Sequence, residues 1–320
     1  FGHVTFQENT SPSTQAIGHN SPREKREERQ SVVSLRSKED VLVEALPWIQ
    51  RYENKTFVIK YGGAAMTADT LKPMFAKDVT LLTKIGVKIV IVHGGGREIT
   101  DFLNRLNIET KFIDGQRYTD EQTLEVVQMV LAGKINKGIV ARINGNGGNA
   151  VGLCGVDGDL IKAKRFKENG QDIGFVGEIT KINVGVLALL LNNNFLPVVA
   201  PTGVGENGEL YNINADVAAG EIAAALQAEK LLYLSDVEGV MTEGRLVPSL
   251  SEDEAKLLVR EGRINGGMVP KVNSAFRALD AGVKKVHIID GRVMHSLLLE
   301  IFTDEGIGTE LVAAPPPPTS

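Results

Sequence analysis

Short apolar runs rich in Val, Ile and Leu recur along this chain of 320 residues, some of them unbroken, and between them the apolar positions switch to helical spacing. The runs lie at 56–60, 88–92, 150–154, 196–200, 231–235 and 285–289, and Ile89-Val-Ile-Val92 is the plainest of them. A strand with one wet face alternates apolar and polar residues, so a run without polar alternates must be covered on both faces. Helical patterns fall at 70–84, 97–106, 120–144, 183–193, 215–228, 251–261, 268–281 and 293–302. Strand–helix alternation of this kind predicts an α/β fold with an open, mostly parallel sheet and helices on both sides. Two helix starts carry capping-box spacing, Thr119-x-x-Gln122 and Ser251-x-x-Glu254. The stretch 160–180, with Gly170, Gly174 and Gly177, reads as a hairpin excursion.

Composition removes several classes. Hydrophobic residues make up 42% of the chain, enough for a large core. A net charge of −5 and a pI near 5.7 lack the basic stripe of a nucleic-acid partner. No run of 18 apolar residues is present, so no transmembrane helix and no membrane role are expected. The lone Cys154 excludes an internal disulfide framework and a multi-cysteine zinc site. It sits in an apolar run and reads as a core residue. A reducing compartment fits, meaning the cytoplasm or an organelle stroma. Residues 1–37 are polar and mixed in charge, without the apolar core of a signal peptide. They and the proline-rich 313–320 are expected to be disordered tails.

The chemistry-bearing residues cluster at strand ends, where open parallel sheets bind ligands. Lys60 closes the first run and is followed by Tyr61-Gly62-Gly63. His93-Gly94-Gly95-Gly96 follows the second run, and Ser235-Asp236 closes the fifth. Lys271 falls in the first turn of a helix, after Gly266-Gly267. A cation there opposes the helix dipole by roughly 0.3–1 kcal/mol, and a bound phosphate reverses that sign. Neither lysine is expected in the core. Gly94–Gly96 is either a tight turn or a loop with unshielded N–H groups. It is not a dinucleotide fingerprint, because Ile99 occupies the third glycine's place, and no Walker-type loop occurs. Asn212 and Asn214 alternate ahead of Asp216, which either complements a helix dipole or holds one or both lysines. Arg117 is either a surface arginine or a bidentate carboxylate clamp. Two cations and glycine loops suit a polyanion such as the phosphates of ATP. No carboxylate cluster suggests a protein-held metal, so Mg²⁺ is expected to bond mainly to phosphate oxygens.

Four ordered runs, Lys60-Tyr-Gly-Gly-Ala-Ala, His93-Gly-Gly-Gly, Asn212-Ile-Asn-Ala-Asp216 and Gly266-Gly-Met-Val-Pro-Lys271, resemble the N-acetylglutamate kinases of the amino-acid kinase family. The closing run Thr303–Thr309 extends the likeness, which spans about 40–312. Arg97 departs from the proline common there, and Tyr118 from valine. The resemblance implies a three-layer αβα sandwich and ATP-dependent phosphorylation of the γ-carboxylate of N-acetyl-L-glutamate, a step of arginine biosynthesis. It implies Lys60, Lys271 and Asp216 as catalytic residues. It implies substrate binding by Gly94, Gly95, Gly96, Arg117, Asn212 and Asn214. ATP would meet Gly62, Gly63, Ser235, Asp236, Gly239, Val240, Arg263, Ile264 and Asn265. It also implies an interaction helix at 38–55, a substrate and dimerisation lobe at 56–215 and an ATP lobe at 216–312. The apolar segment 41–50, which Pro47 should bend or interrupt, resembles the extra helix of arginine-inhibited members. Those are hexamers, trimers of dimers, and Trp48, His287, Glu300 and Gly306 would hold the arginine effector. Photosynthetic members also bind a PII-type signalling protein. Three alternatives stand beside this. Another amino-acid kinase, such as a carbamate, aspartate or nucleotide kinase, is the one within the class. A nicotinamide-dependent dehydrogenase is opposed by Ile99. A non-catalytic arginine sensor is opposed by intact Lys60, Asp216 and Lys271.

Overall fold

The computed structural model describes residues 38–313 except 114, 169, 304 and 305. The expected tails at 1–37 and 314–320 lie outside the described residues. Eight strands form the main sheet: β1 (Thr56–Tyr61), β2 (Lys88–His93), β3 (Ala150–Cys154), β4 (Leu196–Ala200), β5 (Lys230–Ser235), β6 (Ser249–Ser251), β7 (Lys285–Asp290) and β8 (Thr309–Val312). Their order is β6-β8-β7-β5-β1-β2-β4-β3. Every pairing is parallel except β7 with β8. The six runs read from the sequence are all present, within a residue of their expected ends.

The unbroken runs have their physical cause in the two cores. Val58, Val90, Val199, Leu231 and Ile288 pack into one apolar cluster. Their alternates Phe57, Ile59, Ile89, Ile91, Val198 and Leu232 pack into another. A strand's period of two sends neighbours to opposite faces, so each central strand feeds both cores, and positions 57–59 of β1, 89–92 of β2 and 196–200 of β4 are all apolar. Cys154 differs from expectation. β3 is an edge strand, Cys154 is half-buried, and its Sγ lies 3.3 Å from Asp157 Oδ2.

The excursion at 160–180 is an antiparallel pair, Ile161–Glu168 with Gln171–Ile182. It closes into a small barrel with Thr202–Val204 and Leu210–Asn212. The expected helix 120–144 is interrupted. Helices Glu121–Gln128 and Asn136–Gly145 flank a π-helical segment, Met129–Ile135. Its cap is Asp120, which accepts from Thr123 N at 2.8 Å, and not Thr119. Thr119 is fully buried and donates to the Arg117 carbonyl instead. The capping box at Ser251 and Glu254 is present as read. The helix Lys38–Tyr52 continues through Pro47 without the expected break. A proline removes one i→i−4 bond, and after it Trp48 and Tyr52 stack at 6.1 Å. Among the described residues no helix is long and apolar enough to cross a membrane.

Candidate active site

β1 and β5 are hydrogen-bonded neighbours, with Lys60 opposite Tyr233. From β1 the chain moves one way to β2, and β5 lies on the other side. That reversal opens a crevice beyond the carboxyl ends of the two strands. Into it run Lys60 and the start of helix Ala215–Ala225. Asn214 caps this helix, its Oδ1 accepting from Asp216 N at 2.8 Å and Val217 N at 3.2 Å. Asp216 therefore stands in the first turn with its carboxylate facing both lysines. Its Oδ2 accepts from Lys271 Nζ at 2.8 Å. Its Oδ1 pairs with Lys60 Nζ at 2.9 Å, off the hydrogen-bond direction.

The sequence placed neither lysine in the core, but Lys271 is 6% exposed. Helix Met268–Asp280 packs tightly on helix Ala215–Ala225, and a Cβ on Gly220 would lie 2.6 Å from Ser274 Oγ. The fully buried Tyr233 hydroxyl lies 3.1 Å from Ser274 Oγ and 3.2 Å from the Asp216 carbonyl. Burial alone would raise the Asp216 carboxyl, but the two ammonium groups overcome it and hold the group well below the usual carboxylate range. Burial, helped by the charge of Lys60, pushes Lys271 down despite Asp216. The result is an ionised carboxylate holding two cations at one point.

Both lysines, with Gly63, also line a cavity of about 520 Å³. Ser235, Asp236, Gly239, Val240, Arg263, Ile264 and Asn265 line the same cavity. Of the expected ATP positions only Gly62 is not on its wall. Gly62 backs Lys60 instead, where a Cβ would come within 2.6 Å of Nζ. Arg263 is held by Glu243 at 3.2 Å and Glu261 at 3.4 Å.

The glycine loop meets Arg117. This arginine is buried, and its Nη2 donates to the Gly96 carbonyl and to Thr100 Oγ1, each at 2.9 Å. Its Nη1 is buried without a hydrogen-bond partner among the described residues. Such a donor costs about 1–3 kcal/mol unless a ligand satisfies it. Asn212 Nδ2 donates to Thr119 Oγ1 at 3.3 Å, two residues along from Arg117. Asn214 is engaged as the helix cap. Gly94 is not a free donor as expected, because its N–H bonds to the Tyr61 carbonyl at 2.8 Å. Gly96 opens a helix, where the first N–H groups have no intrahelical partner. Sequence reasoning missed the Tyr233–Ser274 brace, the π-helical segment and a buried His93–Asn136 contact at 3.3 Å. Asn136 and His93 are 43 residues apart, and no spacing rule joins them.

A separate cavity of about 260 Å³ gathers Trp48, His287, Glu300 and Gly306, with Lys230, Lys285 and Glu310. Glu300 is buried, pairs with His287 Nδ1 at 2.6 Å and accepts from Ile307 N at 2.9 Å. His287 Nε2 has no hydrogen-bond partner among the described residues. Burial pushes Lys230 down to about 8.

The amino acid kinase family model matches residues 55–290. An acetylglutamate kinase of Aquifex aeolicus is 55% identical over 292 residues, 87% of this chain and 98% of that protein. One from Chlorobaculum tepidum is 54% identical, over 85% of this chain and 95% of that protein. Among solved structures, N-acetylglutamate synthase from Neisseria gonorrhoeae, complexed with coenzyme A and N-acetyl-glutamate, matches with a TM-score of 0.78 and 29% identity. The match covers 87% of this chain and 64% of that one. Carbamate kinase from Giardia lamblia shares the fold, with a TM-score of 0.59 and 19% identity over 82% of this chain and 99% of that one.

Proposed function

The chain belongs to the amino acid kinase family, among its acetylglutamate kinases, and on that premise we propose that it transfers the γ-phosphoryl group of ATP to the side-chain carboxylate of N-acetyl-L-glutamate. The single observation that carries the reading is Asp216 joining Lys60 and Lys271, both of which line the 520 Å³ cavity. The bond from the γ-phosphorus to the bridging oxygen breaks and one to the substrate carboxylate oxygen forms, giving an acyl phosphate and ADP. The carboxylate is already a nucleophile, so no protein base is needed. What the reaction needs is cations fixed where phosphoryl charge spreads in the transition state. Lys60 and Lys271 supply them, and Asp216 keeps them in register. Among the described residues no group of three His, Cys, Asp or Glu could hold a metal. Mg²⁺ would therefore be held chiefly by phosphate oxygens, where it neutralises charge. Arg117, whose Nη1 has no partner among the described residues, serves the substrate's α-carboxylate, and Asn212 serves the acetamide.

An ADP-release assay tests this directly. N-acetylglutamate is expected to react, and unacetylated glutamate to lose roughly 5- to 150-fold in kcat/KM, the equivalent of about 1–3 kcal/mol for an unpartnered buried polar group. Equal kcat/KM for the two acceptors, or a preference for carbamate or aspartate, would overturn the substrate assignment.

The second cavity supports arginine feedback inhibition. Arginine carries a carboxylate and a fork-shaped guanidinium, and the cavity offers Lys230 and Lys285 for the one and Glu300 and Glu310 for the other. Trp48 brings the amino-terminal helix into the site, so a ring of dimers linked by that helix is the accompanying proposal. Arginine slows the enzyme only if it prefers a slower form. Deleting residues 1–50 is expected to give active dimers that ignore arginine, while the full chain forms a larger, arginine-inhibited assembly. Light scattering with an arginine titration decides this. A full-length dimer indifferent to millimolar arginine sinks the regulatory reading and leaves the kinase one standing.

A further inference from the structure

Behind the glycine loop lies a buried network that the reaction as described does not use. His93, fully buried at the end of β2, has Nδ1 2.8 Å from the Gly94 carbonyl oxygen and Nε2 3.3 Å from Asn136 Nδ2. Asn136 is also fully buried and starts the helix that follows the π-helical segment. The same Nδ2 reaches the Val198 carbonyl at 2.8 Å and the Leu153 carbonyl at 3.2 Å. On the other side, Asn136 Oδ1 accepts from Lys137 Nζ at 3.2 Å.

These partners leave little choice of proton positions. Carbonyl oxygens only accept, so the amide NH2 must face Val198 and Leu153. A flipped amide would set Oδ1 against two carbonyl oxygens. Facing that way, the two N–H groups meet three acceptors, one going to Val198 and the other shared between Leu153 and His93 Nε2, which then is the bare nitrogen of a neutral ring. The ring's one proton then sits on Nδ1 and is donated to the Gly94 carbonyl. Burial pushes His93 down to about 4, so the ring stays neutral near pH 7.

The Gly94 carbonyl and the Gly95 N–H belong to one peptide unit. A trans peptide is planar, with these two groups pointing in opposite directions. Drawing the carbonyl toward the buried ring turns the Gly95 N–H away from the core. Leu131 and Ile135 close the loop's other side, where a Cβ on Gly95 would lie 2.5 and 2.6 Å from them. The peptide is thus held from behind by the imidazole and from the side by the π-helical segment.

The geometry points to His93 and Asn136 as a positioning pair: Asn136 fixes the imidazole tautomer, and the imidazole fixes the Gly95 N–H as a preset donor to the transferring phosphoryl group. Neither side chain touches substrate. The identity of the acceptor rests on the kinase reading above, but the tautomer and the peptide orientation do not. A donor that need not reorient as charge develops is where electrostatic catalysis gains most.

Two measurements test it on the full-length protein. Long-range ¹H–¹⁵N spectra with labelled histidine should show His93, identified by its loss in H93N, protonated at Nδ1 and bare at Nε2 at neutral and mildly acidic pH. Kinetics should then separate two variants. In His93→Asn the side-chain amide nitrogen takes the place of Nδ1 and can donate to Gly94, whereas in His93→Gln it falls at the place of Nε2 and cannot. H93Q is expected to lose on the order of 10² in kcat, the loss typical of one oxyanion donor. H93N is expected to recover about tenfold of that loss, with KM for both substrates within about threefold throughout. A purely structural histidine would make activity follow thermal stability, whichever nitrogen is replaced. An Nε2–H tautomer in the unmodified protein, or equal kcat for H93N and H93Q, overturns the proposal. The spectrum needs no variant to fold and does not depend on the acceptor, so it stands apart from any failure of the substrate assignment.

Discussion

Lys60→Ala and Lys271→Ala are each expected to lower kcat by on the order of 10²–10³, the loss produced by removing one preorganised donor from a transition state, roughly 2.7–4 kcal/mol. Both ammonium groups meet a single carboxylate, at 2.9 and 2.8 Å, so their separation is fixed before any nucleotide arrives. Fixed charges need no rearrangement as the phosphoryl group passes, and that is the source of their large effect. KM for ATP is expected to move less than kcat, because charge on the transferring group is greatest in the transition state. The two variants differ in their effect on the fold. Lys60 lies at a strand end with its side chain 13% exposed, whereas the Lys271 side chain is 7% exposed and lies over the Tyr233 ring at 5.2 Å. Lys271→Met, which keeps the apolar stem, separates lost charge from lost packing. Single-turnover measurements on variants of confirmed fold decide the matter, and near-normal turnover in either one removes that lysine from the mechanism.

Asp216→Ala is expected to damage both stability and turnover. It leaves Lys271 buried and both cations without their shared counter-charge. Breaking a buried pair by removing one partner costs about 3–5 kcal/mol, a fall of roughly 5–9 °C in Tm for a chain of this size. Asp216→Asn keeps the shape and removes the charge, so its stability loss is expected to be smaller while kcat falls comparably. The pH sign follows from the carboxyl's position well below its ordinary range, where the two ammonium groups outweigh its burial. A group so depressed stabilises the fold above the unfolded carboxyl value near 3.9 and loses that contribution as pH falls through the folded value. The stability gap between the parent protein and D216N should hold from neutral pH into mild acid and close only in strong acid. A D216N variant with parental Tm and parental kcat would remove Asp216 from both roles.

Much of this site was legible because the chemistry sits where local rules act. Lys60 was visible as a charge at the end of an apolar run, Lys271 as a cation at a helix start, and Asp216 as a carboxylate near a helix start. The cavity beside Lys60 collects nearly every position that the resemblance implied for ATP, since these positions follow β1, close or follow β5, or precede the helix Met268–Asp280. The misreadings share one cause. Thr119 has the right spacing for a cap, but its hydroxyl is taken by Arg117. Gly94 has an unshielded N–H, but the Tyr61 carbonyl already accepts it. Cys154 lies in an apolar run that proves to be an edge strand. In each case the local pattern was right in type, and the way the surrounding chain folded decided its use: a nearby carbonyl for Thr119, a neighbouring strand for Gly94 and the strand order for Cys154.

The sequence by itself determined the layered α/β architecture, because a period of two without polar alternates can be buried only between two covering layers. It also determined which side chains bring charge to the strand ends. Only the tertiary structure decided which of them meet. That Asp216 reaches both Lys60 and Lys271, that Arg117 is buried with one nitrogen unpartnered among the described residues, and that Asn136 meets His93 all depend on elements brought together across 17 to 156 positions of chain. Spacing along a chain governs contacts within one helix or one strand. Contacts between elements depend on strand order and on how closely helices approach, and those are settled by packing the whole core at once.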